Sequence, residues 1–170
     1  TSGLNIASTT FISNETYAST SSYKRAYASG GAICNSTDEL NIFSTIFTSN
    51  IAKGSDINGY GWGGAIQNVN NKLIISSTIF SSNTANGFGY STSTDIGYGE
   101  GKGGALFSSD NELTILSTIF SSNTAKGDGA TWYDGYGIGG AIYSYGKDGK
   151  TTISLTTFSS NKAIGVSSRY

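Results

Sequence analysis

The chain has 170 residues, 10 basic against 11 acidic side chains, and no His, Met or Pro. Without His there is no His-based triad, imidazole metal site or histidine pH switch, and the net charge of −1 gives no electrostatic draw toward nucleic acid. No apolar run nears the ~20 residues of a membrane-spanning helix, and the lone Cys34 makes neither an internal disulfide nor a Cys-based zinc site.

Ser, Thr and 24 Gly dominate, which alone reads as disorder, but charge is only 12% and 11 Tyr, 8 Phe and 2 Trp are too much aromatic surface for a disordered tract. The chain is instead a repeat. It opens on Leu4-x-Ile6 and Thr9-x-Phe11, closing on Asn14. Gly30-Gly31-Ala32 then leads to Leu40-x-Ile42, Thr45-x-Phe47 and Asn50. Gly63-Gly64-Ala65 leads to Leu73-x-Ile75, Thr78-x-Phe80 and Asn83, and Gly103-Gly104-Ala105 to Leu113-x-Ile115, Thr118-x-Phe120 and Asn123. Gly139-Gly140-Ala141 leads to Thr151-x-Ile153, Thr156-x-Phe158 and Asn161. The units run roughly 1–29, 30–62, 63–102, 103–138 and 139–170, in a single domain.

Alternating apolar positions mark strand faces, and Gly-, Ser- and Thr-rich segments disfavour helix. Each unit predicts three short strands, Gly-Gly-Ala-Ile, Leu-x-Ile and Thr-x-Phe. The stretch from Asn to the next Gly-Gly varies in length and predicts a loop. A fixed core with elastic loops is the mark of a solenoid. The expected fold is all-β: a right-handed single-stranded parallel β-helix of about five rungs, three short strands per rung. At ~4.8 Å per rung it is a rod on the order of 24 Å long.

In-register stacking then builds ladders. Phe11, Phe47, Phe80, Phe120 and Phe158 form one core ladder; Ile6, Ile42, Ile75, Ile115 and Ile153 form another. Asn14, Asn50, Asn83, Asn123 and Asn161 form an Asn ladder, because the amide both bridges rungs and tolerates the left-handed turn. Just before the Leu positions, Glu39, Lys72, Glu112 and Lys150 alternate in sign, predicting a charge ladder.

At its Gly-Gly-Ala-(Ile/Leu) and Phe-x-x-Asn motifs, over nearly its whole length, the chain resembles the repeats of the polymorphic outer-membrane protein family of bacterial autotransporter adhesins. The resemblance implies a β-helical passenger, an extracellular or cell-surface location, and adhesion with self-association. No C-terminal transmembrane-barrel pattern, signal peptide or initiating Met is present, so the expectation is a mature secreted chain, a fragment, or another protein built on the same repeat.

The loops hold the candidate contact aromatics Tyr27, Tyr60, Trp62, Tyr98, Trp132 and Tyr136, which suit a sealing Tyr ladder, lateral subunit contacts or sugar stacking. Asn14 and Asn35 lie in Asn-x-Thr sequons and are candidate glycosylation positions on the exterior. The acids are dispersed: Asp38, Asp110 and Asp148 precede the Leu strands, and Asp56, Asp95, Glu100, Asp128 and Asp134 lie in the loops, so no catalytic pair or metal cage emerges. The expected protein is not an enzyme and takes no cofactor. It is an extracellular structural subunit stacking head to tail with itself into a filament of adhesive or matrix role; the alternative is an adhesin passenger binding a glycan or cell-surface receptor, and a polysaccharide-active β-helix enzyme ranks third.

Overall fold

The computed structural model describes residues 3–20, 25–36, 39–92, 96–109, 112–130, 134–146 and 149–167. The chain is a parallel β-solenoid. Each turn passes through five strands, seen in the second turn as Leu40–Phe43, Ile46–Thr48, Ile51–Asp56, Asn58–Trp62 and Ile66–Val69. Like strands stack into five parallel sheets, which we name the Leu, Phe, outgoing, return and Gly-Gly-Ala sheets in that order. The first three have five strands each and the last two have four, so the described chain makes four complete turns and three strands of a fifth. The three expected strands per rung are thus joined by two more, formed by segments that read as loops.

The stacking is in register. Phe47 pairs with Phe11 and Phe80, and Phe120 with Phe80 and Phe158. Their rings stack face to face at 4.9, 4.9, 4.7 and 5.1 Å. Ile6, Ile42, Ile75, Ile115 and Ile153 stack in the same way. Phe47, Phe80, Phe120, Ile42, Ile75 and Ile115, together with Leu40, Leu73, Leu113, Ile66 and Leu106, fill the body of the solenoid. Each fully buried Phe, Leu or Ile contributes roughly 1.5–3 kcal/mol of transfer energy.

Three left-handed corners shape every complete turn. The first Gly of each Gly-Gly-Ala has φ between 56 and 66°. Ser44, Ser77 and Ser117 take φ of 47–51° between the Leu and Phe strands, and Ser49, Ser82 and Ser122 take 56–57° just before the ladder Asn. The left-handed residue is therefore Ser and not Asn, which corrects the turn role given to Asn above. The neighbouring Thr locks this first corner, which Leu155 occupies in place of Ser in the fifth turn: Thr9, Thr45, Thr78, Thr118 and Thr156 each donate their hydroxyl to the carbonyl two residues back, at 2.8–2.9 Å.

The outgoing and return sheets form a thin fin beside the body. From the second turn on, their inward positions are Ala and Gly until Asp56 near the tip, with Thr16 holding the first-turn place of Ala52: Ala52 and Gly54 face Gly59 and Gly61, and Ala85 and Gly87 face Gly99 and Gly101. A Cβ on Gly101 would press on the carbonyl of Ala85 and the amide of Lys126, and one on Gly54 on the carbonyl of Ala26. The sheets touch backbone to backbone, far closer than the ~10 Å of ordinary stacked sheets. The second Gly of Gly-Gly-Ala closes the neck between body and fin, since a Cβ on Gly64 would lie 2.5 Å from the Thr84 amide and one on Gly104 2.6 Å from the Thr124 amide. The Ala that follows, Ala65 or Ala105, is fully buried in the core.

Candidate functional site

The corner at Gly30, Gly63, Gly103 and Gly139 joins the return sheet to the Gly-Gly-Ala sheet, and outward-facing side chains of the two sheets meet across it. Trp62 of the return sheet stacks on Phe107 of the Gly-Gly-Ala sheet, centroids 5.2 Å apart and planes 9° apart. The Lys102 ammonium lies 5.2 Å above the Tyr143 ring. Outer faces that touch each other enclose a re-entrant angle, so this is an inner corner, walled by the fin on one side and the body on the other.

Aromatics run along the corner. Tyr27 stacks on Tyr60 at 4.6 Å, Tyr98 lies 5.8 Å from Tyr60, and Tyr136 lies 5.5 Å from Tyr98. Tyr143 and Tyr145 continue the array from Phe107. Five of the six candidate contact aromatics thus come together; Trp132 lies outside the described residues, as do Asp38, Asp95, Asp110 and Asp148. Phe107, Tyr143 and Tyr145 were missed because they sit in the Gly-Gly-Ala strand, away from the loops. A signal existed: Cys34, Gln67, Phe107 and Tyr143 occupy one register column.

Tyr98 is not in the Tyr column. Glu100 pairs with Tyr60 and Tyr136 and takes that place, while Tyr98 pairs with Asn58. The Glu100 side chain is buried and fully engaged. It accepts from the Tyr98 hydroxyl at 2.8 Å and from Trp62 Nε1 at 3.3 Å, and pairs with Lys102 Nζ at 2.7 Å. Burial, and then donation to Glu100, pushes the Tyr98 phenol well up; burial also raises Tyr60. At the open end of the corner the Cys34 thiol donates to Gln67 Oε1 at 3.2 Å and is raised by burial. The arrangement has the makings of a contact surface: mostly stacked rings, an internally neutralised ion pair, and exposed hydroxyl edges on Tyr27, Tyr136 and Tyr145. Among the described residues no group of three or more Cys, Asp or Glu is placed to hold a metal ion.

The other predicted positions fall as follows. Asn50 Nδ2 donates to Asn83 Oδ1 at 3.0 Å and to the Phe11 carbonyl at 3.1 Å, and its Oδ1 accepts from the amide and Nδ2 of Asn14. Asn83, Asn123 and Asn161 repeat this pattern turn by turn. Glu39, Lys72, Glu112 and Lys150 stack through the backbone, each carbonyl accepting from the first Leu-strand amide one turn back. Only Lys72 and Glu39 form an ion pair, 3.7 Å and solvent-exposed; none joins Lys72 to Glu112 or Glu112 to Lys150. Asn35 is not exterior. It faces the core, 9% exposed, and donates to Asn68 Oδ1 at 2.7 Å, so an enzyme transferring a glycan cannot reach it in the folded chain.

Residues 117–145 match the Chlamydia polymorphic membrane protein repeat. The stretch begins at the Ser117 corner and runs through the Phe, outgoing, return and Gly-Gly-Ala strands to Tyr145, so the repeat unit is nearly one turn of the solenoid. No curated protein and no solved structure matches the chain significantly.

Proposed function

We propose that the chain is the passenger-type part of a surface protein: a non-catalytic β-solenoid, displayed outside the cell, that adheres through its aromatic inner corner. The observation that carries this reading is that the stretch matching the polymorphic membrane protein repeat folds as one turn of a stack whose ladder positions recur in every other turn. Tyr edges give broad amphipathic contact at low entropy cost. The test is saturable binding of the fluorescently labelled chain to cultured epithelial cells. The reading expects such binding, weakened at least tenfold by the triple change Tyr27→Ser, Tyr136→Ser and Tyr145→Ser. Absence of saturable binding, or an unaffected triple variant, overturns it.

Axial self-association is the second reading, favoured by a complementarity between the outer turns. In the column Glu15, Ile51, Thr84, Thr124 and Lys162, the two outermost positions carry opposite charges. Electron microscopy decides: filaments with a rise near ~24 Å support it, and a monodisperse monomer at high concentration removes it.

A further inference from the structure

One cleft on the outer face of the fin differs from the inner corner in the property that matters for small ligands. It has a volume of about 400 Å³ and is lined by Phe88, Tyr90, Lys126, Asp128, Ala130 and Val166, among others. That lies at the small end of ligand pockets, the size of one or two sugar rings. In the corner the rings cover one another. In the cleft, Phe88 and Tyr90 are 41% and 40% exposed, and among the described residues neither stacks on another ring. Phe88 is also out of keeping with its column, whose neighbouring members are Ser55 and Asp128.

Beside these rings, Lys126 Nζ and Asp128 Oδ2 form an ion pair at 2.8 Å. The pair cancels its own charge, while its remaining donor hydrogens and acceptor lone pairs stay available. The cleft is also held in shape. Tyr90 donates its hydroxyl to Asp56 Oδ1 at 3.1 Å and its amide to the Asp56 carbonyl at 3.2 Å. Asp56 is fully buried and accepts the Ile57 amide at 2.6 Å through the same oxygen. Burying a carboxylate is costly, and here it fixes one wall of the cleft, which cuts the ordering entropy of binding.

We propose that this cleft is a binding site for a neutral pyranose. Its apolar ring face packs on Phe88 and Tyr90, and its hydroxyls bond to Asp128 and Lys126. Free aromatic faces beside a self-neutralised donor–acceptor pair suit an uncharged ligand with one apolar and one polyhydroxyl side; an ionic ligand would have to break the pair. The proposal rests on the binding-module reading above but on a different surface, so the two can fail separately.

The experiment is saturation-transfer NMR of the whole chain with the methyl pyranosides of glucose, galactose, mannose and N-acetylglucosamine at 10 mM. The proposal expects transfer to at least one of them, strongest at the ring C–H protons. Phe88→Ala and Asp128→Asn each weaken that binding at least tenfold, while Tyr27→Ala in the corner leaves it unchanged. Phe88 is exposed, so its variant keeps the fold, checked by an unchanged circular-dichroism melt. Transfer to none of the four sugars, or transfer that survives Phe88→Ala, overturns the site. Cell binding that persists without any sugar transfer removes the cleft and leaves the display reading standing.

Discussion

In the body, Phe80 lies between Phe47 and Phe120 with ring centroids 4.9 and 4.7 Å away, and Leu and Ile ladders pack around it. In the fin, a few residues along the same turn, Gly101 faces Ala85 and Lys126 with no side chain between the backbones. Both regions share one stacking register and one set of rung-to-rung hydrogen bonds. The body owes its cohesion to large side chains taken out of water; the fin owes its own to having none. The same in-register stack thus supports opposite packing rules, and the left-handed corners and the glycine neck keep them apart.

The comparison can be broken most forcefully in the body. Phe80→Ala removes the middle ring of the stack and is expected to cost about 3–5 kcal/mol in denaturant unfolding. Phe158→Ala, in the last described turn and 47% exposed, costs well under half of that. Next comes Asn83, whose loss strands the Asn50 amide and Nδ2 and the Phe47 carbonyl. Asn83→Ala is expected to cost about 1–3 kcal/mol.

The fin answers to the opposite change. Gly101→Ala, which adds a single methyl, is expected to cost about 1–3 kcal/mol by overpacking. Hydrogen exchange should quicken in Thr84–Gly89 and Tyr98–Lys102 and stay unchanged in the Phe strands. Equal quickening in both regions would erase the distinction.

A smaller effect concerns the corner. The Tyr98 phenol is raised by burial and by its bond to Glu100. A raised folded value means that its stabilisation is complete below the ordinary phenol range, near ~10, and is lost as pH climbs through the folded value. Tyr98→Phe should therefore flatten the alkaline loss of stability in a pH series of thermal melts. Smallest of all is the charge ladder. Lys72→Glu faces Glu39 across an exposed pair at 3.7 Å and should cost only ~0.2–1 kcal/mol, more at low salt.

The body was readable in the sequence because its period is written in large residues. Leu-x-Ile and Phe-x-x-Asn repeat at inward positions, and the Phe and Asn columns formed at those residues. The fin was not, because its period is written in small ones. Ala52-x-Gly54, Ala85-x-Gly87-x-Gly89 and Ala125-x-Gly127-x-Gly129 alternate as strictly as any strand, but Gly has low strand propensity and carries no apolar signal. Those segments therefore looked like loops. Asn35 misled for a related reason: a sequon records a local triplet and not which face of the strand the Asn occupies. Glu100 in a Tyr column was visible only as Tyr98 standing two residues early.

The register joins all of these observations, and one cross-linking measurement tests it directly. Ser81 and Ser121 are register partners on the outer face of the Phe sheet, whereas Thr48 and Ser121 lie two turns apart. In a Cys34→Ser background, the pair Ser81→Cys and Ser121→Cys should close an intramolecular disulfide under mild oxidation, since adjacent strands ~4.8 Å apart fall within disulfide reach. The pair Thr48→Cys and Ser121→Cys should remain reduced. Failure of the first pair to close, or closure of the second as readily as the first, would contradict the in-register solenoid and with it both body and fin.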